Sequence, residues 1–142
     1  MSLKTWKRKY YPTTASTAAR RGTLASVRHS LKKWSGLSKE ILEEHDLRKV
    51  GYTIIDNSGD SELRIADTSC ALCIRYIDRS VKDACHACPL AIVRGGVPCD
   101  EKLPSEEISP YHIWTWYCDP QPMIDWLKQT EVYVKKEESQ TV

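Results

Sequence analysis

The chain has 142 residues and six cysteines, and its net charge of +2 is divided unevenly. Residues 1–39 hold ten Lys or Arg and no acid, while residues 40–142 hold 11 bases and all 19 acids. The length suits one domain with its own core. No apolar run approaches the roughly 18 residues of a membrane span, and Met1 to Tyr11 lacks the apolar segment of a secretory leader. These features predict a cytoplasmic protein with no membrane partner.

Trp6-Lys7-Arg8-Lys9-Tyr10-Tyr11-Pro12 interleaves aromatics with bases. On a nucleic acid the bases would meet phosphates and the aromatics would stack. Alternatively, Trp6 and Tyr11 pack onto the body of the protein as an arm over residues 1–14. A helical hairpin is expected over 15–47. In its first helix Leu24, Val27, Leu31 and Trp34 recur at helical spacing. Gly22 weakens the first turns by about 1 kcal/mol against Ala, which allows the helix to begin after it. Gly36 is expected to end the helix in a left-handed conformation, and His29 to be a hydrogen-bonded or solvated helix residue. Ser38 caps the second helix, running to about Leu47, with Leu37 and Leu42 as its hydrophobic staple. The acids of that helix would repel phosphate, so a DNA-reading element would have to be the first one.

Tyr52-Thr-Ile-Ile55 and Leu63-Arg-Ile65 flank a polar turn and predict a β-hairpin over 52–66. A cysteine-rich helical half is expected over 67–134. Ile74, Ile77 and Val81 would lie on a short helix bridging its cysteines. Asp100, Glu101, Glu106 and Glu107 read as a solvated acidic loop. Ser109-Pro110 caps a further helix, and the segment after Asp119-Pro120 starts another, with Met123, Ile124, Leu127 and Val134 on its apolar face. Residues 135–142 read as a frayed, disordered tail.

Two Cys-x-x-Cys pairs, Cys70/Cys73 and Cys85/Cys88, are the strongest chemical signal. In a reducing compartment such thiols point to metal or to buried thiols rather than to disulfides; an exported chain would permit three bridges. Zinc is the first expectation, because four thiolates are one of its usual structural cages. Cys99 is an alternate ligand, and His86 can replace a neighbour. An iron–sulfur cluster draws on the same thiolates. Cys118 stands outside the group as a core thiol. No phosphate loop, dinucleotide motif, nucleophile elbow or zinc-protease motif is present.

Tyr10-Tyr11-Pro12, His29-Ser-Leu-Lys-Lys-Trp34, Cys70-Ala-Leu-Cys73, Cys85-x-x-Cys88-Pro-Leu, Ser109-Pro-Tyr111 and Pro122-Met-Ile-x-Trp126-Leu together resemble a group of small phage-encoded and bacterial proteins with paired Cys-x-x-Cys motifs. The resemblance spans most of the chain and brings no activity with it. It implies a phage or mobile-element setting, where short proteins bind and redirect a host component in the host cytoplasm.

The sequence therefore predicts a single α+β domain, mostly helical, and a non-catalytic binding protein scaffolded by its cysteines. Lys4, Trp6, Lys7, Arg8, Lys9, Arg20, Arg21, Arg28, Lys32 and Lys33 form the expected contact face for nucleic acid or an acidic host protein. One alternative is stoichiometric inhibition of a host defence enzyme. Another is ligand binding or catalysis in a pocket of His112, Trp114, Trp116 and a cysteine.

Overall fold

The computed structural model describes residues 2–77 and 87–140. Among them the elements run α1 (Leu3–Tyr10), α2 (Ala15–Arg21), α3 (Thr23–Trp34), α4 (Lys39–Glu44), β1 (Leu47–Val50), β2 (Thr53–Asp56), β3 (Glu62–Arg64), α5 (Ala71–Tyr76), α6 (Pro89–Val93), α7 (Pro110–Tyr117) and α8 (Gln121–Ser139). The chain is an α+β domain with an antiparallel sheet of order β1-β2-β3.

The helix α3 lies at its centre, with α1, α2, α5 and α8 packed against it. Its predicted apolar face is the one that packs: Val27 and Trp34 are buried, and Leu24 and Leu31 are half-buried against the same core. Gly22 divides the predicted long helix. At φ 121° it caps both α2 and α3, in a region that L side chains avoid.

The stretch expected as an extended arm is instead the helix α1. Ser2 caps it, exchanging hydrogen bonds with Thr5 in both directions. Eight residues make a marginal helix alone, so docking has to supply the stability. Trp6 is fully buried and its indole N–H donates to the Gly36 carbonyl at 2.7 Å. Trp114, from α7, donates in the same way to the Leu37 carbonyl at 2.8 Å. Two tryptophans from distant segments thus grip the chain where it leaves α3.

Ser38 caps α4, accepting from the Ile41 N–H at 3.3 Å. That helix stops earlier than the charge pattern suggests, because Asp46 takes a left-handed conformation, φ 59°. The residues after it pair as β1, which sequence reading missed, with Leu47 opposite Asp56 and Val50 opposite Thr53. Gly51, at φ 61°, opens the two-residue turn between them. Ile54 on β2 and Ile65 after β3 are fully buried.

Ser109 caps α7 with Pro110 in its first turn, as predicted. α8 buries Met123, Leu127 and Val134. It continues through Ser139, so residues 135–139 of the expected tail are helical.

Candidate functional site

Four cysteines of the described residues line one cavity of about 290 Å3: Cys70, Cys73, Cys88 and Cys99. Cys70 caps α5 and Cys73 lies within it; the Cys73 N–H points at the Cys70 sulfur at 3.4 Å. Cys88 caps α6, whose first residue is Pro89. After α6 the chain turns through Gly95 and Gly96, at φ 73° and 95°. Cys99 follows, its carbonyl held by the Tyr111 N–H at 3.1 Å. Trp34, Leu72, Met123 and Leu127 supply apolar wall.

Lys33 reaches the cavity from α3, and its ammonium is almost wholly buried. It donates to the Ser69 carbonyl, immediately before Cys70, at 3.0 Å. Burial pushes the Lys33 pKa down, while the charges of Cys70, Cys73 and Cys99 oppose that shift. In the Cys70/Cys73 pair the two thiols are pushed in opposite directions, Cys70 down and Cys73 up. The Cys73 thiol donates to Cys70, and with the nearby Lys33 charge brings the Cys70 pKa to about 5 against the cost of burial. Cys73 is pushed up, by that donation and by burial. Ser30 lies 3.9 Å from the Cys70 sulfur.

Cys85, His86 and Val81 lie outside the described residues, so the expected second Cys-x-x-Cys pair is represented here by Cys88. Cys99, the alternate in the sequence reading, completes the four around the cavity. Among the described residues no three His, Cys, Asp or Glu side chains gather to hold a single metal ion. Cys118 stands apart, its thiol directed at the Leu37 carbonyl at 3.6 Å.

The contact face expected from the leading bases needs correction at two positions. Trp6 and Lys33 point inward, at 0% and 1% exposure, because each supplies a donor to a backbone carbonyl in the interior. Arg28 is committed to an ion pair with Glu131 of α8 at 3.2 Å. Lys4, Arg8, Lys9, Arg20, Arg21 and Lys32 are exposed, and Lys7 is half-buried. Lys4, Lys7 and Arg8 recur at i, i+3 and i+4, one helical stripe, and Tyr11 follows at the end of α1. They line a second, open groove of about 420 Å3, together with Leu3, Pro12 and Ser61.

The pocket expected from His112, Trp114 and Trp116 does not assemble. Trp114 is fully buried, whereas Trp116 is 63% exposed with its ring against the His112 imidazole. His112 Nδ1 is engaged by the Ser109 hydroxyl at 2.6 Å. The aromatic residues that line the thiol cavity are Trp34 and Tyr111. Helical spacing could have indicated this, since Trp114 and Trp116 are two residues apart and face different ways.

Sequence reading also missed Arg94. Its buried guanidinium meets both Glu106 carboxylate oxygens at 2.9 and 3.0 Å. It donates further to the Glu101 carbonyl at 2.6 Å and lies 5.0 Å from the Trp126 ring centre. Glu106 is therefore a structural partner and not part of a solvated acidic loop.

Among the described residues no helix is long and apolar enough to cross a membrane. No family model, no curated protein and no solved structure matches the chain.

Proposed function

We propose that the protein is a non-catalytic binding protein that docks nucleic acid along the outer face of α1, in the phage setting implied by its sequence resemblance. The observation that carries this reading is the groove in which Lys4, Lys7 and Arg8 stand beside Tyr11, with no acid among its lining residues. Cations on one helical stripe suit a phosphate backbone, and a neighbouring phenol ring offers a stacking surface. α1 itself is anchored through its buried residues Leu3 and Trp6. The bases are therefore held on a fixed support, which lowers the ordering cost of binding. Arg20, Arg21 and Lys32 extend the positive charge of the same third of the chain. Binding at this face would act by occlusion or recruitment.

Fluorescence anisotropy with a labelled oligonucleotide, titrated over a range of salt, tests the reading. Affinity should fall steeply with salt. Replacing Lys4, Lys7 and Arg8 together by Ala should reduce the log–log slope by about 2–3 units, near 0.9 per lost phosphate contact. Lys102→Ala, in an exposed loop of the other half, should leave the slope unchanged. No binding at low salt, or binding indifferent to salt, overturns the reading.

A further inference from the structure

The cavity beneath α3 bears on a separate question, independent of the basic groove. We propose that Cys70, Cys73, Cys88 and Cys99 are the four thiolate ligands of an iron–sulfur cluster seated in this cavity.

The first argument is size. A tetrahedral zinc draws four sulfurs to about 2.3 Å from one centre and leaves no volume between them. Here the cysteines border a volume of about 290 Å3, space for about ten waters at roughly 30 Å3 each. The cavity is partly open to solvent, and no three of these cysteines converge on one point as the ligands of a single ion would. A cluster of several irons with bridging sulfides has the bulk to take up the space and sulfur-binding corners facing outward.

The second argument is charge. Lys33 is a cation held inside the protein at the wall of this cavity. A buried ammonium is expensive unless a counter-charge lies close. Four thiolates on a cluster carry net negative charge, and Lys33 lies where it offsets that charge. Each protonated cysteine exchanges its sulfur–hydrogen bond for a sulfur–iron bond on ligation, and its proton leaves to solvent.

The third argument is the wall. Trp34, Leu72, Leu90, Met123 and Leu127 shield the space from water on its apolar sides. The Cys73 N–H directed at the Cys70 sulfur, at 3.4 Å, is the kind of hydrogen bond that tunes a cluster's potential.

The test uses the full chain, produced in iron-replete cells and purified without oxygen. The expected result is iron and acid-labile sulfide in equal amounts, with a broad visible absorption that reductant bleaches. Zinc as the bound metal, or a chain carrying neither iron nor sulfide, overturns the proposal. Cys99→Ala should lose most of the iron, while Cys118→Ala, outside the cavity, should keep it. Full retention in Cys99→Ala, or equal loss in Cys118→Ala, overturns the ligand set. Near-UV circular dichroism separates cluster loss from unfolding in each variant. Lys33→Met provides a readout that a purely structural lysine would not move: the midpoint potential should become more negative, because a nearby cation favours the more negatively charged reduced cluster. An unchanged potential removes Lys33 from the site. A chain that binds nucleic acid but no iron, or iron but no nucleic acid, separates this proposal from the function proposed above.

Discussion

The carboxylate of Asp56, at the end of β2, accepts the backbone N–H of Leu3 at 2.9 Å and so tethers the start of α1 to the sheet. An acid at a helix N-terminus satisfies an orphan donor and complements the helix dipole. The Leu3 N–H, with the Ser58 hydroxyl and N–H, holds the Asp56 pKa below its ordinary 3.8. A depressed carboxylate contributes stability that is present above pH 3.8 and lost as pH falls through the lower folded value. Asp56→Asn should flatten that acid limb in pH-dependent melts. It should also raise hydrogen exchange in α1 at neutral pH. An unchanged acid limb would mean that Asp56 does not hold the helix.

Gly36 is predicted to tolerate no side chain, for a reason of space. A Cβ there would come within 2.3–2.8 Å of three ring atoms of Tyr10. Gly36 is not among the positive-φ glycines, so the left-handed ending expected from sequence is replaced by close approach of a ring to the backbone. Gly36→Ala should cost about 1–3 kcal/mol, the usual range for overpacking. Denaturant titration checks this, and Tyr10→Ala in the same background should recover part of the loss.

Removing one partner of the Arg94–Glu106 pair leaves the other without its match. Burial alone would raise the Glu106 pKa, yet the Arg94 guanidinium and the Leu103 N–H bring it below the usual range. Glu106→Gln keeps the shape but leaves a buried cation, and should destabilise by about 2–3 kcal/mol. Glu107→Gln, on an exposed neighbour, should stay within about 0.5 kcal/mol. Equal effects from both would argue against the pair as a structural tie.

His29 makes stability fall toward mildly acid pH. Its imidazole is buried, its Nε2 lies 2.7 Å from the Thr13 carbonyl and its ring meets Tyr11 edge-on. Burial pushes its pKa below 6.5, with Lys33 and Lys32 adding to the shift and the Thr13 carbonyl and Cys70 opposing it. The unfolded chain then binds the proton more readily than the folded one. Stability is therefore complete above pH 6.5 and declines as pH drops from there toward the folded value. His29→Gln, which keeps a donor for Thr13, should remove that slope in urea titrations between neutral and mildly acid pH.

Where the sequence was informative, a local rule was enough. Ser38 and Ser109-Pro110 are capping signals complete within four residues, and both start helices where expected. The Leu24-Val27-Leu31-Trp34 stripe fixes the inner face of α3 by period alone. The hairpin of β2 and β3 follows from β-branched residues around a polar turn. Where it misled, the deciding partner was distant. Leu47-Arg-Lys-Val reads as the basic end of a helix until β2 pairs with it. Trp6 and Lys33 read as part of an outward face because their neighbours are charged. Each is drawn inward by a carbonyl, 30 residues away for Trp6 and 36 for Lys33.

The amino-acid order alone determined an α+β domain of capped helices, a positive front with an acidic body, and thiols grouped along one stretch. Only the tertiary structure decided which thiols meet. Cys99 joins Cys70, Cys73 and Cys88 through the turn at Gly95-Gly96 and the Tyr111 hydrogen bond, neither of which shows in spacing. It likewise decided which of the leading cations face solvent. Charge and periodicity are local properties that a sequence displays directly, whereas the wall of a cavity is built from segments whose only common cause is the burial of the same core.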